Sequence, residues 1–165
     1  MMKHSFEALD HAFELAKGKK YEEALRICNN FILNWPHAYA GYYRKSNILG
    51  MMGRHDDALR ALDKVAELPP DRAFPYFARA EHHRKTGNYQ RAIEDYTKAQ
   101  KRDNGFFGHE IPLYRAECHL RAGDLEGALQ ACQEVPDDYR SPGFRGHREG
   151  SKHLVLADIA KAMRG

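Results

Sequence analysis

Ten histidines and three cysteines are the side chains in this sequence best able to do chemistry. Imidazoles and thiolates ligate metals, and a thiolate is also a nucleophile. Two places set them side by side, His82–His83 and Cys118–His119. Neighbouring residues on a helix point about 100° apart, so neither pair converges readily on one ion. The cysteines Cys28, Cys118 and Cys132 form no CxxC, and the chain contains no P-loop, GxSxG or HExxH. The expectation is a non-catalytic protein with no cofactor and no metal.

The totals agree with a folded, unexceptional chain. Its 165 residues suffice for a core without disulfides, and 42% apolar with 30% charged residues is ordinary for a globular protein. The formal net charge of +3 is mild and lacks the concentrated basic stripe of a dedicated nucleic-acid binder. Three cysteines, odd in number, suit a reducing compartment, and no apolar run reaches the length of a signal peptide or membrane span. A cytoplasmic location is expected, with protein rather than membrane or nucleic acid as partner.

What positions these side chains is a period. Ala24, Ala58 and Ala92 are spaced by 34 residues, and Ala128 follows 36 further on. Gly53, Gly87 and Gly123 keep the same steps, each preceded at an offset of seven by a small residue: Ser46, Ala80 and Ala116, with Ala12 as the earliest member. Within a unit the apolar spacing is helical. Tyr42, Ser46 and Leu49 share one face, and Ala58, Leu62 and Val65 another. The central glycine ends the first helix in a left-handed conformation, and Asn88 and Asp124 are placed to cap the second. The proline at 70 ends the second helix. Small residues on both helices allow close approach, while Tyr76, Tyr89 and Tyr96 fill the space around them. A lone hairpin of this kind cannot bury its apolar face, so copies must stack.

These residues resemble the tetratricopeptide repeat, a helix–turn–helix unit. Residues 73–106 match through Tyr76, Ala80, Gly87, Tyr89, Ala92, Tyr96 and Ala99; residues 39–72 match through Tyr42, Ser46, Gly53, Ala58, Leu62, Val65 and Pro70. A first unit over about 5–38 carries Ala12, Tyr21, Ala24, Phe31 and Pro36, with Gly18 one place early, so that its turn is expected to differ. A fourth unit, about 109–135, carries Ala116, Gly123, Leu125, Ala128 and Val135. The resemblance implies a single all-α domain, a right-handed superhelical solenoid of about four hairpins. In that frame His83 and His119 occupy equivalent inward positions and read as packing residues. Cys28 and Cys132 likewise share an apolar position.

The resemblance also implies a concave groove lined by the first helices, where a peptide or helix of a protein partner lies. The groove positions are Phe6, Leu9 and Phe13, with Lys17 at the edge; then Tyr43, Asn47 and Met51; then Phe74, Phe77, Glu81, Arg84 and Lys85; and finally Glu110, Leu113, Glu117 and Arg121. Tyr43 and Phe77 would anchor apolar side chains, Asn47 would hold peptide backbone, and Arg84, Lys85 and Arg121 would read acidic groups. The Lys, Asn, Asn, Lys, Arg set with which one subgroup clamps chaperone tails is absent. Its places hold Leu9, Phe13, Arg44, Phe74 and Ala78, or, shifted by a unit, Tyr43, Asn47, Ala78, Glu110 and Tyr114.

A weaker resemblance joins DRAFPYFARAEHHRKTGNYQRA and IPLYRAECHLRAGDLEGA to bacterial type III secretion translocator chaperones, through a proline–aromatic or proline–leucine start, an Ala-Glu pair and the turn glycine. It implies a second reading, a chaperone or inhibitor dedicated to one secreted effector or toxin. Four units and no acidic leading segment depart from that pattern. Residues 136–150 read as a loop and 151–163 as a helix, opening on Ser151, that either covers the end of the stack or docks elsewhere. A third reading is RNA binding through Arg140, Arg145, Arg148 and Lys152 with Tyr139 and Phe144.

Overall fold

The computed structural model describes residues 2–68, 71–141 and 150–164. Its helices fall into two compact units, residues 1–70 and 71–165. The first unit holds α1 (Met2–Lys17), α2 (Tyr21–Asn34), α3 (Tyr39–Met51) and α4 (His55–Glu67). The second holds α5 (Ala73–Lys85), α6 (Tyr89–Gln100), α7 (Glu110–Arg121), α8 (Leu125–Gln133) and α9 (Lys152–Ala162). A two-residue antiparallel pair, β1 (Arg140–Ser141) with β2 (Gly150–Ser151), precedes α9. The protein is an all-α helical repeat. Ser151, expected to cap the last helix, pairs in β2 and immediately precedes α9.

The turns inside the hairpins follow one geometry. Gly53, Gly87 and Gly123 have φ of 75°, 79° and 82°. In each turn the amide of the next residue donates back five positions: Arg54 to the Leu49 carbonyl, Asn88 to His83 and Asp124 to His119, at 2.9, 2.8 and 2.9 Å. That is the Schellman closure, which satisfies carbonyls left over at a helix end. The first hairpin keeps the same closure, contrary to expectation. Lys19 takes the left-handed position at φ 61°, and the Lys20 amide donates to the Leu15 carbonyl at 2.9 Å. Side-chain capping is less uniform. Asp124 Oδ1 accepts from the Gly127 amide at 2.9 Å, whereas Asn88 makes no capping bond and donates to Thr86 Oγ1.

Small residues sit where the helices of each hairpin meet. Ala12, Ala24, Ala58, Ala80, Ala92, Ala116 and Ala128 are fully buried, and Ser46 nearly so. In the first unit they join Leu9, Cys28, Phe31, Ile48 and Leu49. In the second unit they surround Tyr96, Ile111, Leu113 and Tyr114. Helix α9 packs on α7 and α8 and contributes Val155 and Ile159 to that core.

Candidate partner-binding faces

Residues four apart on a helix stack on one face, so Tyr43, Asn47 and Met51 form a stripe along α3. Helix α1 packs beside α3. On it Phe6 is 45% exposed although its ring lies 5.6 Å from that of Phe31. Phe13 is half-buried, with the Arg44 guanidinium 4.6 Å and the Lys17 ammonium 5.0 Å from its ring centre. Arg44 is steadied by Asp10 at 2.8 Å. Tyr43 and Asn47 are half-buried and Met51 is exposed. The Asn47 amide makes no hydrogen bond among the described residues. Leu9, expected on the ligand-facing surface, is 3% exposed and belongs to the core.

The corresponding surface of the second unit is closed on itself. Phe77 stacks on Phe107 with ring centres 4.2 Å apart and meets Tyr96 and Tyr114 at 5.8 and 6.0 Å. Phe107 is delivered by the turn after α6, where the Asp103 carboxylate accepts from the amides of Phe107 and Gly108. Arg84 donates twice to Glu81, at 2.9 and 3.0 Å, and once to Glu117 at 3.1 Å. Its guanidinium also lies 5.0 Å from the ring centre of Tyr114. The Tyr96 hydroxyl donates to Glu81 as well.

This arrangement has electrostatic consequences. Burial by itself would raise Glu81, but the hydrogen bonds and charge of Arg84, with the Tyr96 hydroxyl, hold it below the ordinary carboxylate value. Burial and the adjacent Glu81 push the Tyr96 phenol well up. Arg84, expected to read acidic groups on a partner, already serves two carboxylates of its own unit. Glu117 is 6% exposed and Leu113 is fully buried, so both are interior. Phe74 is half-buried, Glu110 likewise, and Lys85 and Arg121 are exposed. A second internal pair, Arg79 to Asp95 at 2.7 and 2.9 Å, ties α5 to α6.

Neither this network nor the Phe77–Phe107 stack was apparent in the sequence. Its only signal was the Phe-Phe pair in NGFFGHE, whose partners lie tens of residues away in the chain.

The thiols are interior, whereas among the histidines only His83 is buried within the described residues and His11, His37, His55, His109 and His153 are exposed. All three cysteines are free and buried. Burial pushes the thiols of Cys28 and Cys118 up to about 11 and about 12, and raises Cys132 as well, so each is held as the poorly nucleophilic thiol. His83 is 5% exposed, and His119 Nδ1 lies 2.7 Å from Asp124 Oδ2. Among the described residues no group of three or more His, Cys, Asp or Glu is placed to hold a metal, and no helix is long and apolar enough to cross a membrane. Of the residues considered for RNA, Phe144, Arg145 and Arg148 lie outside the described residues. Tyr139 packs edge-on to His109, and Lys152 binds Asp137 at 2.7 Å.

Paired helices with a left-handed turn and buried alanines at matched places define a helical-hairpin repeat protein. A family model described as tetratricopeptide repeat matches residues 43–105 and 77–142, and the chain belongs to that family. Its members generally mediate protein–protein interaction. The chain is 29% identical over 140 residues to the TPR repeat-containing protein MJ1428 of Methanocaldococcus jannaschii. That match covers 82% of the chain but 24% of the relative's length. Among solved structures it is similar to a tetratricopeptide repeat protein from Parabacteroides merdae (TM-score 0.74, 14% identity, 98% of this chain and 61% of that one). It is also similar to MamA (TM-score 0.69, 16% identity, 93% and 83%). These likenesses concern the fold.

Proposed function

We propose that the protein is a non-catalytic binding module that captures a peptide or helix of a protein partner on the α1/α3 face of its first unit. One observation carries this reading: the Tyr43–Asn47–Met51 stripe, in which an amide without an internal partner lies between an aromatic ring and an exposed thioether. An amide that both donates and accepts can hold an extended backbone, and the flanking side chains offer apolar contact. Phe6 extends the apolar surface on α1. In the second unit, exposed Arg121 and Lys85, the latter 3.8 Å from Glu81, would meet acidic groups of the partner, while Phe77 is covered by Phe107 and lies outside the contact. Three buried free thiols suit work in the reducing cytoplasm.

The test is affinity capture from host lysate by wild type beside a Tyr43→Ala, Asn47→Ala variant and a Phe77→Ala variant. A protein retained by wild type and Phe77→Ala but lost from the first variant supports the reading. Equal retention by all three refutes it.

A further inference from the structure

A cleft of about 850 Å³ lies within the first unit, between α2 and α4 and over α3, lined by residues separate from the Tyr43–Asn47–Met51 stripe. Its floor is apolar, with Leu25 and Leu49 buried and Tyr42 half-buried, and its rims are polar. Five lining residues are basic and two, Glu22 and Asp57, are acidic. That excess of three equals the formal charge of the entire chain, +3.

The internal pairing does not cancel it. Arg54 and Arg60 share the single carboxylate of Asp57, with Arg54 at 2.6 Å. Lys64 pairs with Glu67 at 2.5 Å, which lowers the excess by one. Lys45 donates to the neutral Asn29 Oδ1 at 2.8 Å, and Arg26 is exposed; neither meets a carboxylate among the described residues. A concavity lined by one sign of charge concentrates ligands of the other.

We propose that this cleft is a second binding site, which takes an acidic peptide segment carrying apolar side chains. The carboxylates would pair with Arg26, Lys45 and the Arg54–Arg60 rim, and the apolar side chains would lie on Leu25, Leu49 and Tyr42. A small inorganic polyanion would satisfy the cations but leave that apolar floor unused, whereas an acidic–apolar segment matches both parts of the lining.

The probe is a synthetic fluorescent dodecapeptide of Asp, Glu and Leu, followed by anisotropy at low and physiological salt. Saturable binding is expected, weakened by salt and weakened about tenfold or more by Arg26→Glu, Lys45→Glu, equivalent to ~1.4 kcal/mol. A Lys101→Glu, Lys161→Glu control with the same change in net charge should bind nearly as wild type. The Tyr43→Ala, Asn47→Ala variant should also bind unchanged, which separates this site from the face proposed above. Circular dichroism checks that each variant remains folded. The proposal is overturned by no saturable binding, by equal loss in the control, or by equal affinity for a neutral control peptide in which Asn and Gln replace the Asp and Glu of the probe. Displacement by tripolyphosphate at the peptide's own concentration would also overturn it, in favour of a small-polyanion site.

Discussion

Asn47 and Glu81 stand 34 residues apart, at the same place on the first helix of successive hairpins, yet they lead opposite lives. Three residues after Glu81 comes Arg84, which closes it into an internal network with Glu117, Tyr96 and Tyr114. Three residues after Asn47 comes Gly50, which offers nothing to pair with. The aromatic positions diverge in the same way. Phe77 is covered by Phe107, while Tyr43 belongs to a stripe that ends in exposed Met51. The second unit thus ties Glu81, Arg84 and Glu117 together, whereas Asn47 at the matching place in the first makes no hydrogen bond among the described residues. A shared repeat position fixes where a side chain stands, and its neighbours decide what it does.

The sharpest way to break this contrast is to remove the cation that closes the second unit. Arg84→Met removes the guanidinium that bridges Glu81 and Glu117 in low-dielectric surroundings and should cost about 3–5 kcal/mol in urea unfolding. A loss no greater than that of an exposed substitution would show that the network contributes little. Ala92→Leu tests the packing that both units share. Ala92 is fully buried, and the larger side chain should overpack the α5/α6 contact at about 1–3 kcal/mol.

Lys19→Gly acts in the other direction. Lys19 holds a left-handed conformation that side chains disfavour, so glycine there should stabilise the protein by about 1 kcal/mol, read as a raised thermal midpoint. The smallest stability effect belongs to the open face. Asn47→Ala should change unfolding free energy by less than ~0.5 kcal/mol while weakening partner binding.

Acid sharpens the comparison. Glu81 has a folded-state pKa below its ordinary 4.5, so it binds fewer protons folded than unfolded in that range. Its stabilising contribution is therefore complete above that value and is lost as pH falls through the lower folded value. Urea midpoints measured downward from neutral pH should fall more steeply for wild type than for Glu81→Gln.

The repeat was legible from the sequence because close helix approach demands small residues at fixed intervals, and a period survives in one dimension. The alanines at 24, 58, 92 and 128 and the three turn glycines are such marks. The glycine that signals a left-handed residue stands one place early in the first hairpin, at Gly18, so the sequence points to an altered turn and gives no sign that Lys19 fills the left-handed place. Position alone set Tyr43, Asn47 and Met51 on one face of α3, but it put the interior residues Leu9, Leu113 and Glu117 and the internally paired Arg84 on the groove as well. For the two leucines, helical spacing states the face and not the depth. For Arg84, the deciding partner Glu117 lies 33 residues away. Phe107 belongs to the joint between the third and fourth hairpins, within the second unit, where no periodic pattern applies.

The claim that the first unit offers the open face is tested most directly by mapping a ligand onto the protein. A peptide selected from a random library on the immobilised protein would be titrated into isotope-labelled protein and followed by amide chemical shifts. The account predicts that the largest shifts fall on Tyr43, Asn47, Met51 and their neighbours on α1, with the Glu81–Arg84–Glu117 network little moved. Shifts centred on that network, with α3 unaffected, would contradict it.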